Sequence, residues 1–139
     1  MFELFEHKAD VGVRGRGESL AQAFAECAKA MFSVMVELES VKAKEEVEVK
    51  VEAQDKEQLL VNFLNELLYL RDVKEMLFKG FDLYIIEGGE NWQLGGKALG
   101  EKINKEKHSI KGDVKAASFH QLKVSKGKGG FVAQCVVDV

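Results

Sequence analysis

The sequence predicts an α+β domain in two layers, a mostly antiparallel sheet packed against two amphipathic helices. Three observations carry that expectation. Two stretches of helical periodicity each open on a capping pattern; short stretches alternate between an apolar and a polar face; and glycine-rich turns join consecutive strands. The chain has 139 residues with neither an internal repeat nor a Ser/Gly/Pro-rich linker, so residues 1–139 read as one domain.

Each element follows in order. Phe2 to Glu6 and Asp10 to Arg16 alternate as short strands, with Val11 and Val13 on one face and glycines on the other. Gly12-Val-Arg-Gly15-Arg-Gly17 reads as a bent edge strand and turn. A phosphate loop is disfavoured there, since the spacing reverses the dinucleotide fingerprint and no Gly-Lys-Ser/Thr follows. Ser19 with Gln22 is a capping-box pattern, and Leu20, Phe24, Cys27, Met31 and Met35 then form one apolar stripe whose methionines are core filler. Val47, Val49 and Val51 alternate with charged residues as a half-wet strand. Asp55 caps a second helix, apolar over much of its circumference from Leu59 to Leu70 and interrupted by Asn62, Asn65 and Glu66. Met76 to Ile86 reads as a strand, Gly88-Gly89 as its turn and Trp92 to Leu94 as the return. Residues 95–112 read as irregular. Val114 to Val124 then pairs with Phe131 to Val137 across the glycine-rich tip Lys126 to Gly130.

Apolar residues make up 46% of the chain and charged residues 31%, enough of the first to build a core. No apolar run approaches a membrane span, and the N-terminus has no signal-peptide pattern, so the expected location is the cytoplasm. Cys27 and Cys135 are too few for a disulfide framework and read as reduced core thiols. The net charge of −3 excludes a generally basic nucleic-acid binder. That total hides a polarity: residues 1–60 carry −5, residues 61–96 carry −3 and residues 97–128 carry +6. The Lys102 to Lys111 run reads as a solvated loop, with a polyanion contact as the alternative. Seventeen lysines and seventeen glutamates against three arginines fit the enrichment seen in hyperthermophile proteins.

The candidate chemistry lies at the two ends of the chain. An antiparallel arrangement could join Asp10 and Asp138 with the terminal carboxylate of Val139, three hard oxygen donors suited to calcium or magnesium. By spacing alone, aspartates 128 positions apart are as readily unrelated surface groups. His7 beside Asp10 could be an oriented base or a structural histidine, and His108 and His120 are the other imidazoles. No nucleophile and oxyanion hole assemble beside them. In the strand expected at Val114 to His120, alternation places Lys115, Ala117 and Phe119 on one face, with Lys115 either snorkelling or functional.

Four stretches together support a family resemblance: His7-Lys-Ala-Asp-Val-Gly12, Leu60-Val-Asn-Phe-Leu-Asn-Glu-Leu-Leu-Tyr69, Gly112-Asp-Val-Lys-Ala-Ala-Ser-Phe-His120 and Gln134-Cys-Val-Val-Asp-Val139. In this order the chain resembles the archease family, small proteins that assist RtcB-type tRNA-splicing ligases. The resemblance implies an archease-like fold and a protein cofactor with no reaction of its own, helping the ligase load guanylate from GTP and turn over repeatedly. It also implies a possible second partner, a tRNA methyltransferase, with RNA met through the partner protein. Carried over by position, Asp10, Asp138 and Val139 match the family's metal site, with calcium the expected divalent ion. Lys115 matches a lysine tied to ligase activation, alongside Asp10 and Asp138, with His7 and His120 as possible support. Lys8 and Ser118 depart from the small hydroxyl residue and the threonine usual at those places, and Lys8 adds a cation beside the metal site. A stand-alone RNA module would bind tRNA with steep salt dependence, and a hydrolase on His7 and Asp10 would turn over without a partner.

Overall fold

The computed structural model describes residues 1–7 and 10–139. Among these the order is β1 (Phe2–His7), β2 (Asp10–Gly17), α1 (Leu20–Met35), β3 (Glu45–Ala53), α2 (Lys56–Lys74), β4 (Met76–Gly88), β5 (Asn91–Lys102), β6 (Ala116–Ala117), β7 (Lys123–Gly127) and β8 (Gly130–Asp138), with one 3₁₀ turn at Leu38–Ser40. No described helix is long and apolar enough to cross a membrane.

Both helices start as their caps predict. Ser19 Oγ accepts from the Gln22 amide at 3.1 Å, and Gln22 Oε1 reaches back to the Glu18 amide at 2.8 Å. Asp55 Oδ1 accepts from the Gln58 amide at 2.7 Å. α2 ends at Glu75, whose left-handed φ of 53° stops the helix, and Arg71 and Lys74 in the last turn suit its negative dipole end. The expected stripe of α1 is buried at Phe24, Cys27, Met31 and Met35, the methionines filling the core as expected.

Every strand pairing is antiparallel, but the strands form two sheets rather than one continuous sheet. One runs β1-β2-β8-β6, with β7 also pairing β8; the other runs β3-β5-β4. α1 packs on β2 and β8 and reaches across to β4, while α2 packs on β3, β4 and β5 and touches β6 and β7. Aromatic rings tie helix to helix and helix to sheet: Phe24 of α1 stacks on Phe63 of α2 at 6.2 Å, and Phe32 of α1 meets Phe78 of β4 edge-on at 5.7 Å.

Three expectations are corrected. The glycine-rich stretch 12–17 is no edge strand; β2 lies between β1 and β8, because the far end of the chain returns to pair with it. Residues 95–102 are not irregular but complete β5, the middle strand of the three-stranded sheet. Glycine there permits the close approach of β4: Gly96 holds φ 142°, and a Cβ on it would strike the Asp82 carbonyl. Val114 to Val124 is not one strand, since only Ala116–Ala117 and Lys123–Gly127 pair with β8. Between them the chain arches out through Gln121 at φ 53°, held by Ser118 Oγ donating to the Val136 carbonyl at 2.9 Å. The hairpin tip before Gly130 forms as expected.

Candidate functional site

β2 begins at Asp10 and β8 ends at Asp138, and the last registered pair between them is Val11 with Val137. One step further sets Asp10 opposite Asp138, a position at which antiparallel Cα atoms lie about 4.5–5.5 Å apart. Both aspartates are half-buried. Among the described residues neither carboxylate has a hydrogen-bond or ion-pair partner. Two facing carboxylates repel one another, and this donor chemistry fits a hard divalent cation. No group of three or more His, Cys, Asp or Glu side chains gathers among the described residues. Val139, expected to complete the set, directly follows Asp138 and is exposed. His7 is registered opposite Asp10 on β1, but its side chain, like Lys8 and its added cation, lies outside the described residues.

Lys115 stands at the same end of the sheet. Its amide donates to the Asp138 carbonyl at 2.8 Å, and Ala116 is registered with Asp138, which puts Lys115 opposite Val139. The expected alternation fails around it: Val114 and Ala117 are buried, whereas Lys115 is exposed and Phe119 is 61% exposed. Only Ala116–Ala117 is regular strand here, so the alternation reaches neither Lys115 nor Phe119. α2 clamps this short strand. Asn65 Oδ1 accepts from the Ala117 amide at 2.8 Å and Asn65 Nδ2 donates to the Ala117 carbonyl at 3.4 Å. Arg71 Nη1 donates to the Val114 carbonyl and to Asp113, each at 3.0 Å. Asn65, legible in sequence only as a polar break in an apolar face, is thus what holds β6 in place. Asn65→Ala is expected to cost about 1–3 kcal/mol, read from urea unfolding, because it strands the Ala117 amide without a partner. The structure places His120 on the arch, where its carbonyl accepts from the Val136 amide at 3.1 Å, two residues before Asp138.

The lysine-rich segment is less free than a solvated loop. Lys102 Nζ donates to the Lys74 carbonyl, Lys107 Nζ to Glu101, and Lys111 pairs with Glu37. Glu101, which no sequence pattern marks out, is buried and receives His108 Nε2 at 2.9 Å, Lys107 Nζ at 2.7 Å and the Lys42 amide at 2.7 Å. His108 Nδ1 accepts from the Asn104 amide, so the ring proton sits on Nε2 and points at Glu101. The His108 hydrogen bond, then those from Lys107 and Lys42, hold the Glu101 carboxyl at about 2 against an ordinary 4.5. Because the folded value lies below the unfolded one, this stabilisation is complete above about 4.5 and is lost as pH falls through about 2. The melting temperature is expected to fall more steeply between those limits in the native chain than in Glu101→Gln.

Cys27 and Cys135 are buried free thiols, as expected. The hydrogen bond to Cys135, and then burial, push the Cys27 thiol well above its ordinary value, which makes it a poor nucleophile.

The Archease protein family model matches residues 2–139. The chain belongs to the archease family. It is 43% identical to Protein archease of Pyrococcus abyssi over 139 residues, covering 99% of this chain and 98% of that one. Protein archease of Methanosarcina mazei is 39% identical, with 99% and 95% covered. Among solved structures, the solution structure of Methanobacterium thermoautotrophicum protein 1598 superimposes with a TM-score of 0.86 at 36% identity, covering 99% of this chain and 98% of that one. A Thermotoga maritima crystal structure described as an archease, possible chaperone, shares the fold with a TM-score of 0.58 at 19% identity, covering 100% and 98%. The α+β archease fold places Asp10, Asp138, the clamp from α2 and Lys115 at one end of the larger sheet.

Proposed function

We propose that this archease-family protein is a protein cofactor of an RtcB-type tRNA-splicing RNA ligase, promoting its GTP-dependent guanylylation and repeated turnover without a reaction of its own. One observation supports this beyond family membership. At one end of the larger sheet the half-buried Asp10 and Asp138 face each other beside the chain terminus, and Lys115 is hydrogen-bonded through its backbone to Asp138.

Asp10, Asp138 and the Val139 carboxylate would hold a divalent cation, calcium first, which would cancel their mutual repulsion. Lys115, exposed and anchored next to them, presents an ammonium to the partner. The acidic pole and this lysine dock at the ligase's nucleotide site and favour the conformation competent for guanylylation, a shift of population rather than a chemical step. The clamp by Asn65 and Arg71 keeps Lys115 in register, so the docking face is preorganised.

Single-turnover guanylylation of the cognate ligase, with and without this protein, tests the reading. Stimulation is expected with the native chain and its loss with Lys115→Ala; equal rates with and without the protein overturn it. Residues appended after Val139 are expected to weaken calcium binding, because they remove the terminal carboxylate.

A further inference from the structure

The five-stranded sheet has one face that neither helix covers. α1 lies against the face carrying Val13, Gly15 and Cys135, and Asn65 of α2 meets Ala117 on that same side. Registered partners point the same way, so the opposite face can be read row by row. The first row is Asp10 and Asp138; the second is Phe5, Gly12 and Val136. The third is Glu3, Arg14, Gln134 and Lys123, one residue from each of four adjacent strands, and the fourth holds Arg16, Val132 and Ser125.

These rows have a chemical order. Phe5 lies over Gly12, and the Arg14 guanidinium sits over the Phe5 ring at 4.7 Å from its centroid. Arg14 is held there by Gln134 at 2.8 Å and Glu3 at 3.0 Å, and its side chain keeps 22% exposure. Arg16 pairs with the same Glu3 at 2.7 Å, and exposed Lys123 has no ion-pair partner among the described residues. Arg14 and Arg16 thus share one carboxylate and, with Lys123, leave a net charge of +2 on these two rows of a chain whose total is −3. Successive rows are about 6.7 Å apart and Lys123 lies about 9.5 Å across from Arg14.

The geometry points to this face as a landing surface for an extended single-stranded RNA segment, its phosphates on Arg16, Lys123 and Arg14, a base stacked on the Phe5–Arg14 pair, and its run ended by the Asp10–Asp138 row. A preorganised aromatic–guanidinium stack beside cations in excess over their one carboxylate suits single-stranded nucleic acid, which offers π-faces and phosphates together. A carboxylate row repels the same backbone and so gives the strand a stopping point. The inference goes beyond the ligase reading, in which RNA is met only through the partner.

The test uses the purified full chain and a labelled ten-nucleotide single-stranded RNA of mixed sequence, followed by fluorescence anisotropy and amide NMR shifts. Two net phosphate contacts predict a weak Kd, on the order of 10⁻⁴ M in about 50 mM salt, with a log–log salt slope near −1.4. Shifts are expected at Ser125, Val132 and Gln134. Arg16→Glu with Lys123→Glu is expected to weaken binding by about tenfold or more, while Lys105→Glu on the other lysine-rich segment leaves it unchanged. Unchanged binding by the double variant overturns the inference, as does tighter binding of a polyglutamate peptide than of RNA. Guanylylation of the ligase measured without RNA reports on the ligase reading alone, so the two can fail separately.

Discussion

Asp138→Asn is expected to abolish calcium-dependent stabilisation and to reduce ligase stimulation by about tenfold or more, the lower range seen even for groups that only support metal ligands. The reason is geometric. Asp138 is the last residue of β8, opposite the first residue of β2, and its carboxylate faces that of Asp10 with no other described partner. If the native chain binds calcium there, an ion at about 100 times its Kd adds about 2.7 kcal/mol, or roughly 8–13 °C of melting temperature for a domain of this size. In chelator the sign reverses: losing one of two facing charges relieves repulsion, so the variant should melt no lower than the native chain. Thermal melts with calcium and with chelator check both signs, and an equal calcium increment in native and variant chains would sink the metal reading. Asp10→Asn is expected to behave alike, since each carboxylate is half of one pair.

Gly15→Val is expected to cost about 3 kcal/mol, at the upper end of overpacking, and to lower the melting temperature by roughly 10–15 °C. A Cβ at Gly15 would strike the Ala23 carbonyl and the Cys27 amide of α1. Helix backbone cannot rotate aside as a side chain can, so α1 would have to lift from β2 and open the core around Val13, Cys27 and Cys135, all fully buried. Gly12→Ala is the comparison, because the nearest atoms to its new methyl belong to the Phe5 ring, which can swing outward. Differential scanning calorimetry of the two variants decides it. Equal melting temperatures for both would show that α1 does not rest on Gly15.

The elements legible in the sequence share a physical trait: their signals come from near neighbours. Ser19 and Asp55 mark helix starts because a cap bonds an amide three residues on. The stripe from Phe24 to Met35 is visible because helical spacing returns every three or four residues to one face, and β3 because Val47, Val49 and Val51 alternate. Where pairing partners are distant, local composition misleads. The glycines of β5 look like loop until Tyr84 is seen lying over Gly95 and the Asp82 carbonyl under Gly96. Glu101 looks like one more surface charge in a lysine-rich run until Lys42, 59 residues earlier, brings its amide to the carboxylate.

The candidate site divides in the same way. Its residues, Asp10, Lys115, Asp138 and Val139, could be named from the sequence once the family motifs were recognised. Their arrangement could not: the opposition of Asp10 and Asp138 rests on the register between β2 and β8, and the place of Lys115 rests on β6 and the Asn65 clamp. By itself the sequence determined the two helices, their caps, the alternating strand and the identity of the charged groups, because those depend on residues within a turn or two of each other. Only the tertiary structure decided that β2 is central, that the sheet splits in two, and that Asp10 and Asp138 share one row. Each of those depends on which strands pair across long separations, and that choice is made by burial of the whole core rather than by any local pattern.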